Sequence, residues 1–411
     1  MDILAGKRIV LGVTGGIACY KVVDVARHLT QAGALVDVIM TEEATNFVAP
    51  LLFESLTYRP VFREMWSRLE NAAAHVRLGE EADAVLVAPA TANTIAKIAA
   101  GIADDMLTTT LLATEAPVLL APAMNVKMYS NQATQANMAT LRARGYHVLE
   151  PDEGLLASGI VGRGRLPEAA TIEGMLRAML GRHRGRMSGR RVVVSAGGTR
   201  EPLDPVRYIG NRSSGQMGYA LAEAARDEGA DVTLVSGPVA LPPPAGVDVQ
   251  AVETAEEMCQ AVEMAVAEAD LLIMAAAVAD YRPAQRSSQK IKKGEPDFGL
   301  MLQRTTDILS KLAGRDEFVR VGFAAETENL LAAALDKLRR KDLDMIVAND
   351  AETTIGARDA EVTVVDRTGM ARALPKGPKA AVARAILDVI LEQFGERMDR
   401  KRLHAEDEHV G

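Results

Sequence analysis

Short apolar segments rich in β-branched residues alternate along the chain with amphipathic segments of helical period. The first apolar segment, residues 7–13, is followed by a glycine-containing turn, by apolar positions at helical spacing over residues 22–29, and by a second apolar segment at 34–41. This order predicts the strand, helix and strand of a parallel sheet. Because later apolar segments are nearly continuous rather than alternating, we expect strands that are buried on both faces.

The same pattern begins again near residue 190. RRVVVSAGGT at 190–199 repeats KRIVLGVTGG at 7–16, and the basic, glycine-containing residues 181–190 between the halves are typical of a linker. The pattern predicts an α/β protein of two Rossmann-like three-layer domains with parallel sheets. The expected order is a first domain at 1–180, the linker at 181–190, a second domain at 191–395 and a frayed charged tail at 396–411.

Composition narrows the classes of function. The chain has 411 residues and a formal net charge of −8, so nucleic acid and acidic membrane surfaces are not expected as partners. Its longest strongly apolar stretch, residues 271–279, is too short to span a bilayer, and the N-terminus lacks a signal-peptide pattern. The two cysteines, Cys19 and Cys259, lie far apart and outside any metal-binding spacing. We therefore expect a cytoplasmic protein.

Two loops carry candidate binding groups. Thr14, Gly15 and Gly16 lie between a predicted strand and helix, where a phosphate could bind the free amides, but many such turns need glycine for geometry alone. Residues 211–218, NRSSGQMG, combine an amide, an arginine and two hydroxyls ahead of a helix. An anion site is the more economical interpretation of this second loop, because a capped helix explains only one of its serines.

Motifs in the two halves resemble two enzyme families. GVTGGIACYK, HVRLG with His75, PATANT at 89–94 and PAMNVKMY at 122–129 resemble the flavin-dependent cysteine decarboxylases. TREPLDPVRYIGNRSSGQMG, AAAVADYRP, KIKK, GFAAETEN and DMIVAND resemble the CTP-dependent phosphopantothenate–cysteine ligases. Their order resembles that of the bacterial bifunctional decarboxylase and ligase family of coenzyme A synthesis.

For the first half, the resemblance implies a flavodoxin-like domain that binds FMN. His75 would be its catalytic histidine, and Asn125 would hold the cysteinyl carboxylate or amide of the substrate. Decarboxylation would follow oxidation of the thiol end, and the reduced flavin would then return the hydride. The residues implied to contact FMN are Thr14, Gly15, Gly16, Ile17, Thr41, Thr91, Ala92 and Asn93.

One position departs from the decarboxylase pattern. Ser158 stands where that family has its proton-donating cysteine. An ordinary thiol titrates near pKa 8.5 and a serine hydroxyl several units higher, so serine is a poorer acid. Either serine acts with help, another residue donates the proton, or the reaction stops before its final reduction.

For the second half, the resemblance implies that CTP and Mg²⁺ activate 4′-phosphopantothenate as an acyl-cytidylate, which L-cysteine then attacks. Asn211 would contact the phosphopantothenate moiety and Lys290 would act in catalysis. From the residues alone, the lysines of 290–293 and the pair Lys337 and Lys341 could equally be solvated surface groups. The residues implied to bind the nucleotide are Met274, Ala275, Ala276, Asp280, Lys290, Thr306, Asp307, Ile308, Leu309, Phe323, Lys337 and Lys341.

The resemblance also implies a homo-oligomer, with trimers of the flavin domain, dimers of the ligase domain and a possible dodecamer. Two other functions compete with the bifunctional enzyme. One is a ligase whose flavin domain, impaired at Ser158, serves only as an oligomeric scaffold. The other is a flavin-binding regulatory subunit, against which the complete ligase motifs argue. A nicotinamide oxidoreductase is disfavoured because no G-x-G-x-x-G is present.

Overall fold

The structure is a computed structural model that describes residues 2–65, 73–157, 159–292, 299–326, 329–350, 357 and 359–408. The chain divides into two compact units, Met1–Arg184 and Gly185–Gly411. Within the described ranges, every helix is too short or too polar to cross a lipid bilayer.

The first unit is built around a parallel sheet of six strands in the order β3-β2-β1-β4-β5-β6. This is the Rossmann order, and without the two-residue edge strand β3 it is the flavodoxin order. A separate antiparallel hairpin, β7-β8, follows the sheet. The strands are β1 Arg8–Val13, β2 Leu35–Met40, β3 Val61–Phe62, β4 Ala84–Ala90, β5 Val118–Pro122, β6 His147–Val148, β7 Asp152–Leu155 and β8 Val161–Arg165.

Helices cover both faces of this sheet. Ile9 and Leu11 of β1 pack into a core with α1 and α8, whereas Val10 packs into a second core with α4, α5 and α7. The expected apolar face of the first helix is buried. The helices are α1 Cys19–Gln31, α2 Pro50–Thr57, α3 Ala74–Glu81, α4 Ala92–Ala100, α5 Met106–Ala113, α6 Val126–Tyr129, α7 Gln132–Ala143 and α8 Ala169–Arg184.

The second unit has an eight-stranded sheet in the order β13-β12-β9-β14-β17-β18-β20-β21. Its first six strands are parallel and again follow the Rossmann order. The strands are β9 Arg191–Ala196, β10 Arg200–Pro202, β11 Tyr208–Gly210, β12 Asp231–Ser236, β13 Asp248–Ala251, β14 Leu271–Met274, β15 Tyr281–Pro283, β16 Leu302–Arg304, β17 Val319–Glu326, β18 Met345–Asp350, β19 Asp359–Ala360, β20 Val362–Asp366, β21 Ala371–Ala373 and β22 Gly377–Pro378.

The helices of the second unit also form two outer layers. Val192 and Val194 of β9 pack with α9 and α13, and Val193 packs with α10 and α12 on the opposite face. The helices are α9 Gln216–Asp227, α10 Ala255–Ala265, α11 Ile308–Lys311, α12 Leu330–Arg340 and α13 Lys379–Glu408. The predicted α/β class with two three-layer domains is confirmed.

Several local features differ from the pattern-based expectation. Strands β20 and β21 pair antiparallel to β18 and β20, respectively, and antiparallel strands need no long crossover connection. Helix α8 continues to Arg184, inside the expected linker, and α13 continues through residues 396–408, which were expected to fray. Lys, Arg and Glu are good helix formers, so a charged stretch can prolong an existing helix. The exact domain boundaries stay a prediction.

Candidate active sites

The flavin motifs of the first unit follow its strands at one edge of the sheet. Thr14 follows β1, Thr41 follows β2, Thr91 follows β4 and Asn125 follows β5. Because all four strands are parallel, their carboxyl ends share an edge, and this is where open α/β sheets bind ligands. Ile17, Ala92 and Asn93 lie beside these residues in the chain, with Ile17 and the Asn93 side chain exposed.

A direct contact joins the loop after β1 to the loop after β4. The buried hydroxyl of Thr14 donates to the carbonyl of Pro89 at 2.6 Å and accepts the N–H of Thr91 at 3.2 Å. Thr91 in turn caps α4, because its Oγ1 accepts the N–H of Thr94. The structure therefore brings together two motifs that lie 77 residues apart.

The geometry of this edge fits a phosphate-bearing ligand. The Thr41 hydroxyl is buried, yet its Oγ1 has no hydrogen-bond partner among the described residues. A buried hydroxyl without a partner is costly, and a ligand phosphate would relieve that cost. A Cβ at Gly15 would lie 2.3 Å from Cβ of Glu43, so only glycine keeps the loop this close. The donor set is thus suited to the phosphate of a flavin nucleotide.

His75 lies in the first turn of α3 and is half-buried. Its Nδ1 is buried and lacks a hydrogen-bond partner among the described residues. No hydrogen bond within the described part of the chain joins His75 to Thr14, Thr41 or Thr91. The hydrogen-bonding capacity of this ring nitrogen is therefore unused among the described residues, and the catalytic role of His75 stays a prediction.

Asn125 caps the short helix α6, where its Oδ1 accepts the N–H of Lys127 at 2.9 Å. The hairpin β7-β8 packs directly on this segment, since Met124 N–H donates to the carbonyl of Gly164 at 2.9 Å. A Cβ at Gly164 would lie 2.1 Å from the carbonyl oxygen of Met124. Ser158, predicted to act in catalysis, belongs to the connection between β7 and β8 and lies outside the described residues.

Neither cysteine is placed to replace the missing thiol. Cys19 is fully buried, its Sγ donates to the carbonyl of Thr14 at 3.0 Å, and burial raises the pKa of the thiol. Cys259 is buried in the other unit, where burial likewise raises its pKa. Buried thiols with raised pKa values are structural rather than reactive.

The second unit contains a cavity of about 770 Å³ at the carboxyl ends of β14, β17 and β18. The N-terminal turn of α9 closes another side of it. Most of the residues predicted for this site line the cavity: Asn211, Met274, Ala275, Ala276, Asp280, Thr306, Asp307, Ile308, Leu309, Phe323, Lys337 and Lys341.

The cavity is strongly basic although the chain as a whole is acidic. Among the described residues, six basic side chains and two carboxylates, Asp280 and Asp307, line it. The basic residues are Arg212, Arg304, Lys337, Arg340, Lys341 and Lys379. A cavity with this excess of positive charge favours a ligand that carries several negative charges.

Hydrogen bonds hold the loop after β14 against strand β9 and against the polar loop of residues 211–218. Asn211 Nδ2 donates to the carbonyl of Val278 at 2.9 Å, and Ala276 N–H donates to Oγ of Ser195 at 3.1 Å. Thr305 completes the wall, because its N–H donates to the carbonyl of Asp280 at 2.9 Å. The backbone that would contact the nucleotide base is thereby fixed on both sides.

Lys337 and Lys341 face the cavity from the end of α12. Lys341 forms an ion pair with Asp307 at 3.1 Å, and Lys337 donates to the carbonyl of Phe323 at 2.8 Å. Burial alone would raise the pKa of Asp307, but hydrogen bonds from Ser310 and Lys341 outweigh it and hold that pKa below its usual value. The surface alternative that the sequence left open for these two lysines is therefore not supported.

Lys290 is exposed and is not among the described residues that line the cavity. Its neighbour Ile291 is held by Asp204, whose Oδ2 accepts the Ile291 N–H at 3.1 Å. The predicted catalytic role of Lys290 stays a prediction. Sequence reasoning missed Asp204, and it missed Arg304, Arg340 and Lys379, since isolated basic residues resemble solvated surface groups.

Within the described ranges, no group of three or more His, Cys, Asp or Glu side chains is arranged to hold a metal ion. A divalent cation that enters with a polyphosphate does not require such a cage, because Mg²⁺ is commonly bound by one or two carboxylates together with substrate phosphates. Asp280 and Asp307 are the carboxylates that the cavity offers among its described residues.

Comparison with known proteins agrees with two domains that each carry a candidate site. The family described as Flavoprotein matches residues 2–181, and the DNA/pantothenate metabolism flavoprotein C-terminal domain matches residues 187–394. The coenzyme A biosynthesis bifunctional protein CoaBC of Vibrio cholerae is 45% identical over 96% of this chain and 100% of the relative. The corresponding protein of Bacillus subtilis is 44% identical with the same coverage.

A solved structure of the C-terminal domain of a CoaBC protein is 42% identical and covers 52% of this chain and 99% of its own, with a TM-score of 0.45. The relatives of Vibrio cholerae and Bacillus subtilis, which match 96% of this chain, confirm the resemblance that the motifs indicated. The chain belongs to the family of bifunctional coenzyme A biosynthesis proteins CoaBC, with a flavoprotein domain followed by a DNA/pantothenate metabolism flavoprotein C-terminal domain.

Proposed function

We propose that the second unit joins L-cysteine to 4′-phosphopantothenate at the expense of CTP, and that the first unit decarboxylates the product to 4′-phosphopantetheine. The basic cavity of about 770 Å³ carries the ligase half of this proposal. Its charge suits a nucleoside triphosphate and a phosphorylated acid bound side by side, and its volume lies within the range of small-molecule sites.

In the ligase, the carboxylate of 4′-phosphopantothenate attacks the α-phosphorus of CTP, pyrophosphate leaves, and an acyl-cytidylate remains. The cysteine amine then displaces CMP and forms the amide. Lys337 and Lys341 neutralise the negative charge that builds up on the triphosphate as pyrophosphate departs. Asn211 contacts the phosphopantothenate part of the acyl-cytidylate. Asp280 would help to hold Mg²⁺, which would neutralise negative charge on the phosphates when bound.

The choice of CTP rests on the resemblance together with the loop of residues 274–276, which would contact the base through its backbone. The proposed nucleotide contacts are Met274, Ala275, Ala276, Asp280, Lys290, Thr306, Asp307, Ile308, Leu309, Phe323, Lys337 and Lys341. For Lys290, we infer that the side chain reaches the site from a fixed backbone, since this side chain is exposed and Asp204 anchors the neighbouring Ile291.

In the decarboxylase, we infer that FMN binds at the edge formed by Thr14, Gly15, Gly16, Thr41 and Thr91. When bound, a flavin supplies reversible two-electron chemistry at the thiol end of the substrate. The chain's own residues bind FMN and orient it. Thr41 donates its hydroxyl to the phosphate, and the Thr14–Thr91 contact keeps the two loops at a fixed separation.

His75 is the catalytic histidine of this proposal and acts near the thiol end of the substrate; its Nδ1 lacks a partner within the described residues. Asn125 presents its side-chain amide to the cysteinyl carboxylate while its Oδ1 caps α6. Ile17, Ala92 and Asn93 complete the FMN contacts. Ser158, which lies outside the described residues, is the proposed proton donor in place of cysteine.

We do not favour a ligase whose flavin domain is only a scaffold, because the flavin loops are complete and their contacts are intact. We infer a homo-oligomer, in which the flavin domains form trimers and the ligase domains form dimers. We also infer a cytoplasmic location, where the substrates and a reducing environment are available.

A mass-resolved assay tests both halves. The purified full-length protein with its flavin receives 4′-phosphopantothenate, L-cysteine, CTP and Mg²⁺. We expect CMP, pyrophosphate, carbon dioxide and 4′-phosphopantetheine. Accumulation of phosphopantothenoylcysteine, or of a species two hydrogens lighter than phosphopantetheine, would refute the decarboxylase half, and a lack of CMP would refute the ligase half.

A further inference from the structure

One buried cation in the ligase cavity has no counter-ion among the described residues. Lys379, the first residue of α13, is 9% exposed, lines the cavity and donates to Oε1 of Gln216 at 3.1 Å. No carboxylate of the described residues lies within ion-pair distance of its ammonium group. Burying a charged ammonium with only a neutral partner is unfavourable, and a bound anion would remove that penalty.

The other buried basic residues show that this arrangement is unusual for the protein. Four basic residues are buried in the described part of the chain. Arg190 pairs with Asp399, Arg226 with Asp227 and Arg320 with Asp342, all within 3.0 Å. Only Lys379 lacks such a carboxylate, and it is also the only one of the four that faces the cavity.

The surroundings of Lys379 are those of an anion site. Gln216, its hydrogen-bond partner, is the first residue of the twelve-residue helix α9, so the N-termini of α9 and α13 meet at this wall. Both helix dipoles present their positive ends there. Ser213 and Ser214 line the same cavity. Burial lowers the pKa of Lys379, because it disfavours the charged ammonium group when no anion is nearby.

We propose that Lys379 is a phosphate-binding residue of the ligase: its ammonium pairs with a phosphoryl group of a phosphorylated substrate in the cavity. This inference rests on the proposed ligase function. The phosphoryl group belongs either to the 4′-phosphate of phosphopantothenate or to the triphosphate of CTP. Both present the same chemistry, and kinetics separate them.

The test compares Lys379→Gln and Lys379→Arg in the full-length protein, with Lys376→Gln as the matched control. Lys376 is an exposed lysine three residues earlier that does not line the cavity. Steady-state ligase kinetics are measured against CTP and against 4′-phosphopantothenate separately. The loss of a charge-assisted hydrogen bond corresponds to about a 10- to 100-fold effect.

A rise of that size in the KM for 4′-phosphopantothenate, with the KM for CTP unchanged, would assign Lys379 to the substrate phosphate. A selective rise in the KM for CTP would assign it to the triphosphate. In either case Lys379→Arg recovers most of the affinity and Lys376→Gln matches the wild type. Unchanged KM values in Lys379→Gln would overturn the proposal.

Thermal unfolding separates binding from a structural role. Without substrate, Lys379→Met removes a buried charge that lacks a counter-ion, so we expect its Tm to equal or exceed that of the wild type. Addition of the ligand identified by kinetics should raise the Tm of the wild type much more than that of Lys379→Met. A lowered Tm together with an equal ligand shift would overturn the proposal. If the wild type itself releases no CMP, the ligase function fails instead.

Discussion

Asp204 holds the segment that carries Lys290: its Oδ2 accepts the N–H of Ile291 at 3.1 Å. Its Oδ1 accepts the N–H groups of Val206 and Arg207 at 2.8 and 2.9 Å. The carboxylate therefore ties residues 287–291 to the loop between β10 and β11. A second bond, from Ser287 N–H to the carbonyl of Leu203, supports the same attachment.

The first prediction follows from this attachment. In Asp204→Asn, the amide group can no longer accept all three N–H groups, so the Lys290 segment loses its fixed position. We expect the ligase kcat/KM to fall about 10- to 100-fold, the range in which a small misplacement of a catalytic group acts. The decarboxylase, assayed with synthetic phosphopantothenoylcysteine, should keep its rate. An unchanged ligase would show that Asp204 does not position this segment.

A second prediction concerns pH. Burial alone would raise the pKa of Asp204, but the N–H groups of Val206, Ile291 and Arg207 outweigh it and lower the pKa from 3.8. A lowered carboxylate pKa stabilises the folded state above the unfolded value, and this stability is lost as the pH falls through the folded value. The wild type should therefore have a larger free energy of unfolding than Asp204→Asn at pH 7, and the two values should converge towards pH 3. Urea titrations at both pH values measure this, and a constant difference would contradict it.

The ion pair at the end of α12 leads to a third prediction. Lys337→Gln and Lys341→Gln should each raise the KM for CTP about tenfold, because each removes a cation from the wall of a basic cavity. Arg339→Gln is the matched control, since Arg339 is exposed on the same turn and does not line the cavity. Initial rates at varied CTP concentration decide the matter, and an equal effect of all three variants would indicate bulk electrostatics only.

Substitution of two adjacent glycines by alanine should affect the free energy of unfolding differently. A methyl group at Gly15 would lie 2.3 Å from Cβ of Glu43, whereas one at Gly16 would lie 3.7 Å from its nearest neighbour, Cγ2 of Thr91. Gly15→Ala should therefore lower the free energy of unfolding by about 1–3 kcal/mol, as overpacking does, and Gly16→Ala should leave it nearly unchanged. Chemical denaturation of the flavin-free protein measures both. Equal losses would contradict the close approach at Gly15.

The sequence predicts the strands well because the central ones are buried on both faces. Ile9, Val10 and Leu11 are all fully buried although they point to opposite sides of the sheet, which is what a continuous apolar run indicates. The hairpin β10-β11 was not predicted, since its strands have only three residues each. Local periodicity cannot reveal so short a ribbon.

The site was predictable where a motif is local and was missed where it depends on distant contacts. Residues 274–276 and 306–309 were expected to bind the nucleotide and do line the cavity. Lys379 was missed, because its partner Gln216 lies 163 residues away and a single lysine near a helix start is ordinarily exposed. Burial of a charge is a property of the tertiary structure, and no local pattern records it.

The last prediction isolates one hydroxyl in the flavin loop. Thr41→Val keeps the shape of the side chain and removes a buried Oγ1 that has no partner among the described residues. If that hydroxyl donates to the FMN phosphate, the dissociation constant for FMN should rise about 10- to 100-fold in Thr41→Val and little in Thr41→Ser. The flavin-free variant should be at least as stable as the wild type, because an unsatisfied polar group has been removed. Thr45→Val serves as the control on the same turn, since its hydroxyl already donates to the carbonyl of Glu42. Flavin retained after gel filtration and Tm without flavin are the two measurements. Retention equal to the wild type would place the phosphate elsewhere, and a loss of stability without flavin would show that Thr41 serves the fold rather than the ligand.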